Sequence, residues 1–168
     1  SEFIIENRTL VAYKGLGGEV IIPDDEGILY IGAFAFCLYD TDNTVEVSEE
    51  DYDANKIPST NTTVTSVVIP DSVQEIQKYA FYNCVGLKKV TVPSSVRFIR
   101  EYAFYGDAKL EEIDLSNVEA IGARAFSGCT KLTLDPQKDL RKTYAIGVRA
   151  FEDCTSITSI DLTALRNT

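Results

Sequence analysis

Residues 69–93 read IPDSVQEIQKYAFYNCVGLKKVTVP (Ile69–Pro93). This stretch holds one full turn of an internal repeat. Its centre, Ile76-x-x-x-Ala80-Phe81, returns as Ile31 to Phe36, Ile99 to Phe104, Ile121 to Phe126 and Ile146 to Phe151. The Phe-to-Phe steps are 45, 23, 22 and 25 residues, so the first step spans two periods and hides an insertion or a degenerate unit. Other positions keep the phase. Three residues after Phe stand Cys84, Cys129 and Cys154, with Asp107 as the exception. Six residues after stand Leu87, Leu110, Leu132 and Ile157.

A unit of 22 or 23 residues is too small to bury its own apolar side chains. Stacked units share one continuous core, which makes the chain a solenoid. The alternation after each leucine, as in Lys89-Val90-Thr91-Val92, predicts a half-buried strand. Pro23, Pro70 and Pro93 follow such segments and end them, because proline cannot donate to a ladder. The Ala-Phe segments predict tight or short helical turns. There the alanines let coils approach closely and the phenylalanines form an aromatic column.

At these residues the sequence resembles the BspA-like leucine-rich repeat. The resemblance is carried by IPDSVQEIQKYAFYNCVGLKKVTVP and VEAIGARAFSGCTKL (Val118–Leu132). IENRTLVAYKGLGGEVIIP (Ile5–Pro23) is similar to the hairpin-like segment that often precedes such repeats. The resemblance implies a leucine-rich-repeat solenoid, α/β by convention, of mainly parallel β rungs with short helical turns, wound as a right-handed curved superhelix with the sheet on its concave face. It implies a non-enzymatic module, exported to the bacterial cell surface or secreted, that mediates adhesion by binding host or partner-cell proteins. It supplies no catalytic residues and no cofactor. The expected organisation is an N-terminal hairpin cap over 1–15 and repeats over 16–168, with an acidic insertion at about 38–62. The ending Ile160-Asp161-Leu162, with Leu165, reads as a further repeat cut short, hence a larger parent.

Composition narrows the function. The 168 residues carry 26 acids against 16 bases, a net charge of −10. Such a surface repels phosphate backbones and anionic membranes. No apolar run reaches the length of a membrane span. With no histidine, Ser-His-Asp and Cys-His catalysis are absent. With no methionine, the chain reads as a processed product or an excised piece.

On the strands, the positions left free by the core point to binding. They form two columns: Glu19, Ser66, Lys89, Glu112 and Ser159, and Ile21, Val68, Thr91, Asp114 and Asp161. The columns turn acidic towards the C-terminal half, for which a positively charged protein patch is the complement. Glu112 and Asp114 lie on what is expected to be a shallow face without a pocket, which argues against a glycosidase pair.

A second surface flanks the Ala-Phe turns. Tyr79, Tyr82, Tyr102 and Tyr105 cluster on two adjacent coils, with Arg124 and Arg149 continuing the column of Tyr79 and Tyr102. These rings either stack on sugars or anchor proteins, or they seal the solenoid wall. Carbohydrate binding there is the alternative to protein adhesion, and a plain structural spacer is another.

The insertion holds seven acids: Asp40, Asp42, Glu46, Glu49, Glu50, Asp51 and Asp53. It reads as a solvated loop, or as a weak calcium site at Asp40, Asp42 and Glu46, although Val45 stands where a calcium loop needs glycine. The cysteines read as a buried column rather than a disulfide framework, with Cys129–Cys154 the one pair near enough to bridge. Cys37, out of phase, reads as the most exposed thiol. Lys138, Arg141 and Lys142 read as a solvated loop. An open solenoid end also leaves end-to-end self-association in view.

Overall fold

The computed structural model describes residues 1–37 and 60–158. The coils build two sheets rather than one. The four-stranded sheet contains β3 (Gly18–Ile21), β5 (Val64–Val68), β7 (Lys89–Thr91) and β9 (Glu112–Ile113), in that order and all parallel. Its buried members Val20, Val67, Val90 and Ile113 lie in register, as the alternation demands.

The other sheet has seven strands: β1 (Phe3–Glu6), β2 (Thr9–Tyr13), β4 (Tyr30–Ile31), β6 (Glu75–Ile76), β8 (Phe98–Ile99), β10 (Ala120–Ile121) and β11 (Ala145–Ile146). The repeat isoleucines Ile31, Ile76, Ile99, Ile121 and Ile146 pair in one parallel row. The sequence reading missed this sheet, because a two-residue strand is too short to show alternation.

Between the sheets runs the aromatic column. Phe36, Phe81, Phe104, Phe126 and Phe151 stack with centroids 4.6, 5.0, 5.1 and 5.4 Å apart. The alanines are buried and serve as the rungs. Each Phe N–H donates to the alanine carbonyl of the next coil, from Phe36 to Ala80, Phe81 to Ala103, Phe104 to Ala125 and Phe126 to Ala150, at 2.7–2.9 Å. A side chain longer than alanine's would hold these backbones apart.

The Ala-Phe segments are tight turns, not helices. Alanine N–H closes each one onto the carbonyl three residues back, as in Ala80 to Gln77 at 3.2 Å. The residue before alanine is left-handed in every coil: Phe34, Tyr79, Tyr102, Arg124 and Arg149 have φ between 54° and 61°. That is the arrangement of a type II turn with a non-glycine residue where glycine is easiest. The only α-helix among the described residues is α1 (Pro136–Asp139), capped by Asp135, whose side chain accepts from Gln137 N. Proline at its first position suits a helix start.

At the N-terminus, β1 and β2 form an antiparallel hairpin. Asn7 and Arg8 turn it with φ of 49° and 61°, the paired left-handed residues of a type I′ turn. β2 then pairs in parallel with β4. Tyr13 continues the aromatic column, its ring 5.3 Å from Phe36 and its N–H on the Ala35 carbonyl at 2.8 Å. Ala12-Tyr13 is thus a variant of the Ala-Phe pair, and that small-aromatic dipeptide is the signal the motif search passed over.

The cysteine column is buried and thiol throughout; all four cysteines are free. Cys129 and Cys154 therefore do not form a bridge. Each Sγ donates instead to a phenylalanine carbonyl of the coil before, Cys129 to Phe104 at 3.2 Å and Cys154 to Phe126 at 3.0 Å. Asn61 is a further member, in phase with Cys84 and bridged to it in parallel. Its Nδ2 donates to the Phe36 carbonyl at 2.8 Å. Cys37 corrects the sequence reading: it is 4 % exposed, not a surface thiol. Its sulfur turns inward to the Tyr79 and Tyr82 carbonyls, at 3.6 and 3.8 Å.

Candidate binding surfaces

Strand register sets the outward columns of the four-stranded sheet. Glu19, Ser66, Lys89 and Glu112 are successive partners, as are Ile21, Val68 and Thr91. Ile21 is 63 % exposed and Val68 half-buried, so one of the two columns is apolar at the N-terminal end of this face. Lys89, Thr91, Glu112 and Asp114 are exposed. Ser159 and Asp161 lie outside the described residues, as do Asp40, Asp42 and Glu46.

The C-terminal half of this face carries an open concavity. A hollow of roughly 470 Å³ opens there, between Lys89, Thr91, Glu112 and Asp114 on one side and the 133–139 segment on the other. Its origin is the unit that departs from the repeat. Thr133 N–H still donates to the Glu111 carbonyl at 3.2 Å, continuing the ladder. The chain then leaves the sheet at Asp135-Pro136 and turns into α1, which leaves space where a strand would lie. Asp135, Lys138 and Asp139 enter the lining this way. Sequence reasoning treated Lys138 and Asp139 as solvated loop and passed over Asp135. The cap-and-proline pair Asp135-Pro136 was the available signal.

Four carboxylates and two ammonium groups line the hollow. Asp114 is fixed by its own turn: its Oδ1 accepts from Ser116 Oγ at 2.6 Å and from Ser116 N at 2.9 Å. These bonds, with smaller help from Lys138 and Arg141, hold its carboxyl below the usual range. The rest of the basic segment is tied down, Arg141 to the Ser116 carbonyl at 3.4 Å and Lys142 Nζ to Asn117 Oδ1 at 2.9 Å.

The four tyrosines come together as two ladders. Tyr79 stacks between Phe34 and Tyr102, 4.9 Å from each, while Tyr82 and Tyr105 stack at 5.1 Å. Arg124 ends the first ladder, 5.9 Å over the Tyr102 ring with Nη1 on its hydroxyl at 2.9 Å. Tyr82 is only 9 % exposed and the other three are half-buried. Ring faces that cover one another are not open to a sugar.

Parallel strands in register and a stacked aromatic column define a solenoid repeat protein. The chain belongs to the BspA-type leucine-rich repeat family: the BspA type Leucine rich repeat region matches residues 59–167 in six copies. Modules of this type are in general protein-interaction or surface modules. The fold is similar to a T. pallidum leucine-rich repeat protein, at TM-score 0.66 and 24 % identity, over 89 % of this chain and 61 % of that one. It is also similar to a leucine-rich repeat protein from Bacteroides ovatus, at TM-score 0.64 and 24 % identity, over 96 % of this chain and 39 % of that one. The pneumococcal vaccine antigen PcpA matches at TM-score 0.56 and 23 % identity, over 91 % and 42 % of the two chains. The chain thus spans between 39 % and 61 % of the length of these proteins. No curated protein matches it. No helix among the described residues is long and apolar enough to cross a membrane.

Proposed function

We propose that this chain is a non-enzymatic adhesive module, displayed outside a bacterial cell, which engages a host or partner-cell protein through the open face of the four-stranded sheet. The hollow beside Glu112 and Asp114 carries this reading, because it is a concavity lined by charged side chains on an otherwise regular wall. Its excess of carboxylates suits a partner that presents a cationic side chain. The neighbouring apolar Ile21 and Val68 suit a partner with an apolar patch beside that cation.

The test uses the immobilised protein with host serum and cell-surface extract, and reads captured proteins by mass spectrometry. A partner held by the wild type and by Tyr82→Ala/Tyr105→Ala, but lost by Glu112→Lys/Asp114→Lys, supports the reading. Retention by the charge-reversed face and loss by the tyrosine variant moves the site to the tyrosine wall. Capture of nothing leaves a spacer as the better description.

A further inference from the structure

Asp107 is fully buried in the column otherwise built from Asn61 and the cysteines, and no Lys or Arg pairs with it among the described residues. Its Oδ1 accepts the Cys84 N–H at 2.8 Å. Its Oδ2 has no partner. The column has a rule that this residue must meet. Cys84, Cys129 and Cys154 each donate from Sγ to a phenylalanine carbonyl of the coil before, Cys84 to that of Phe36 at 3.7 Å. For Asp107 the corresponding carbonyl is that of Phe81. That carbonyl is weakly served, because the Cys84 N–H that reaches it at only 3.4 Å is drawn towards Asp107.

A carboxylate cannot donate, and an unpaired buried charge is far costlier than a neutral group. We propose that Asp107 is held as a neutral carboxylic acid whose Oδ2–H donates to the Phe81 carbonyl, so that the centre of the stack keeps one proton at neutral pH. The titratable groups that face it are the thiols of Cys37, Cys84 and Cys129, none of them a cation that favours ionisation. Burial pushes its carboxyl well above the usual range, against the Cys84 N–H, which acts the other way.

The sign follows from linkage. The folded state holds this proton more tightly than the unfolded chain. The stabilisation is therefore complete below the unfolded carboxyl value, near about 4, and is lost as pH rises from there towards the folded value. The device favours the fold in acid.

Thermal unfolding of the wild type and Asp107→Asn from pH 4 to pH 8 tests this. Asparagine already fills the same place at Asn61, and its amide supplies the missing donor without a proton. The wild-type midpoint should fall relative to Asp107→Asn by roughly 5–10 °C between pH 4 and pH 7. Asp107→Cys, the residue of the neighbouring coils, should share the flat profile. Infrared spectra of the folded wild type at pH 7 should show the carbonyl stretch of a protonated carboxyl, absent in Asp107→Asn. Parallel pH profiles, a wild type that gains relative stability as pH rises, or the absence of that band would overturn the proposal. If both variants fail to fold, the wild-type band alone decides.

Discussion

Phe36 and Phe81 stand 45 residues apart in sequence, yet their rings stack 4.6 Å apart with 16° between their planes. The Phe36 N–H also meets the Ala80 carbonyl at 2.9 Å. The core column therefore passes directly from one coil to the other, whatever the length of chain between them. Phe81 is fully buried between Phe36 and Phe104, whereas Phe151 is half-buried. Phe81→Ala should lower stability by about 3–5 kcal/mol, and Phe151→Ala by clearly less. Urea unfolding of the two variants checks the ranking.

The buried thiols should be inert in the native state. Burial pushes Cys37 up to about 12 and Cys154 to about 11. The thiolate is the reactive form, so a disulfide reagent at pH 8 should modify no more than a small fraction of the four thiols before unfolding, and all four in denaturant. Rapid native labelling of Cys37 would contradict its inward orientation.

Gly147 lies against the neighbouring coil. A Cβ there would stand 2.3 Å from Ala123 N and 2.7 Å from Ala123 Cα. Backbone cannot swing aside as a flexible side chain does, so Gly147→Ala should cost about 1–3 kcal/mol through displacement of the coils. The midpoint in urea is the measurement.

Ser116→Ala removes the hydroxyl that holds the Asp114 carboxyl low. A depressed folded value stabilises above the unfolded carboxyl value and is lost as pH falls through the folded one. Asp114 is mostly in solvent, so screening limits the effect to about 0.5 kcal/mol or less. The variant should be slightly weaker than wild type at pH 7, and the deficit should shrink as pH falls below the usual carboxyl value. A deficit that persists in acid would assign the loss to the buried Ser116 environment instead.

The repeat was legible because its core positions recur at fixed spacing: Val67, Val90 and Ile113 fell on one sheet, and the five phenylalanines on one column. The second sheet was not, because Ile76 and Ile99 each contribute only the end of a two-residue strand. The hollow was hidden for a different reason. It arises where the chain abandons the strand at Asp135, and a lost pattern says nothing about the shape that replaces it. Cys37 was misread because its phase was judged against the cysteine column, while its burial comes from the tyrosine ladder on the other side of the turn.

The left-handed residues before each alanine have one more consequence. Tyr79, Tyr102, Arg124 and Arg149 sit in a backbone region that costs a side-chain-bearing residue roughly 1–2 kcal/mol. A single coil in isolation therefore has no reason to adopt its own native shape; the neighbouring coil supplies the stacking that makes the turn worthwhile. Order must begin with at least two adjacent coils and spread outward like a zipper. The same dependence makes the number of coils an adjustable length, since any coil added in phase finds its template already set.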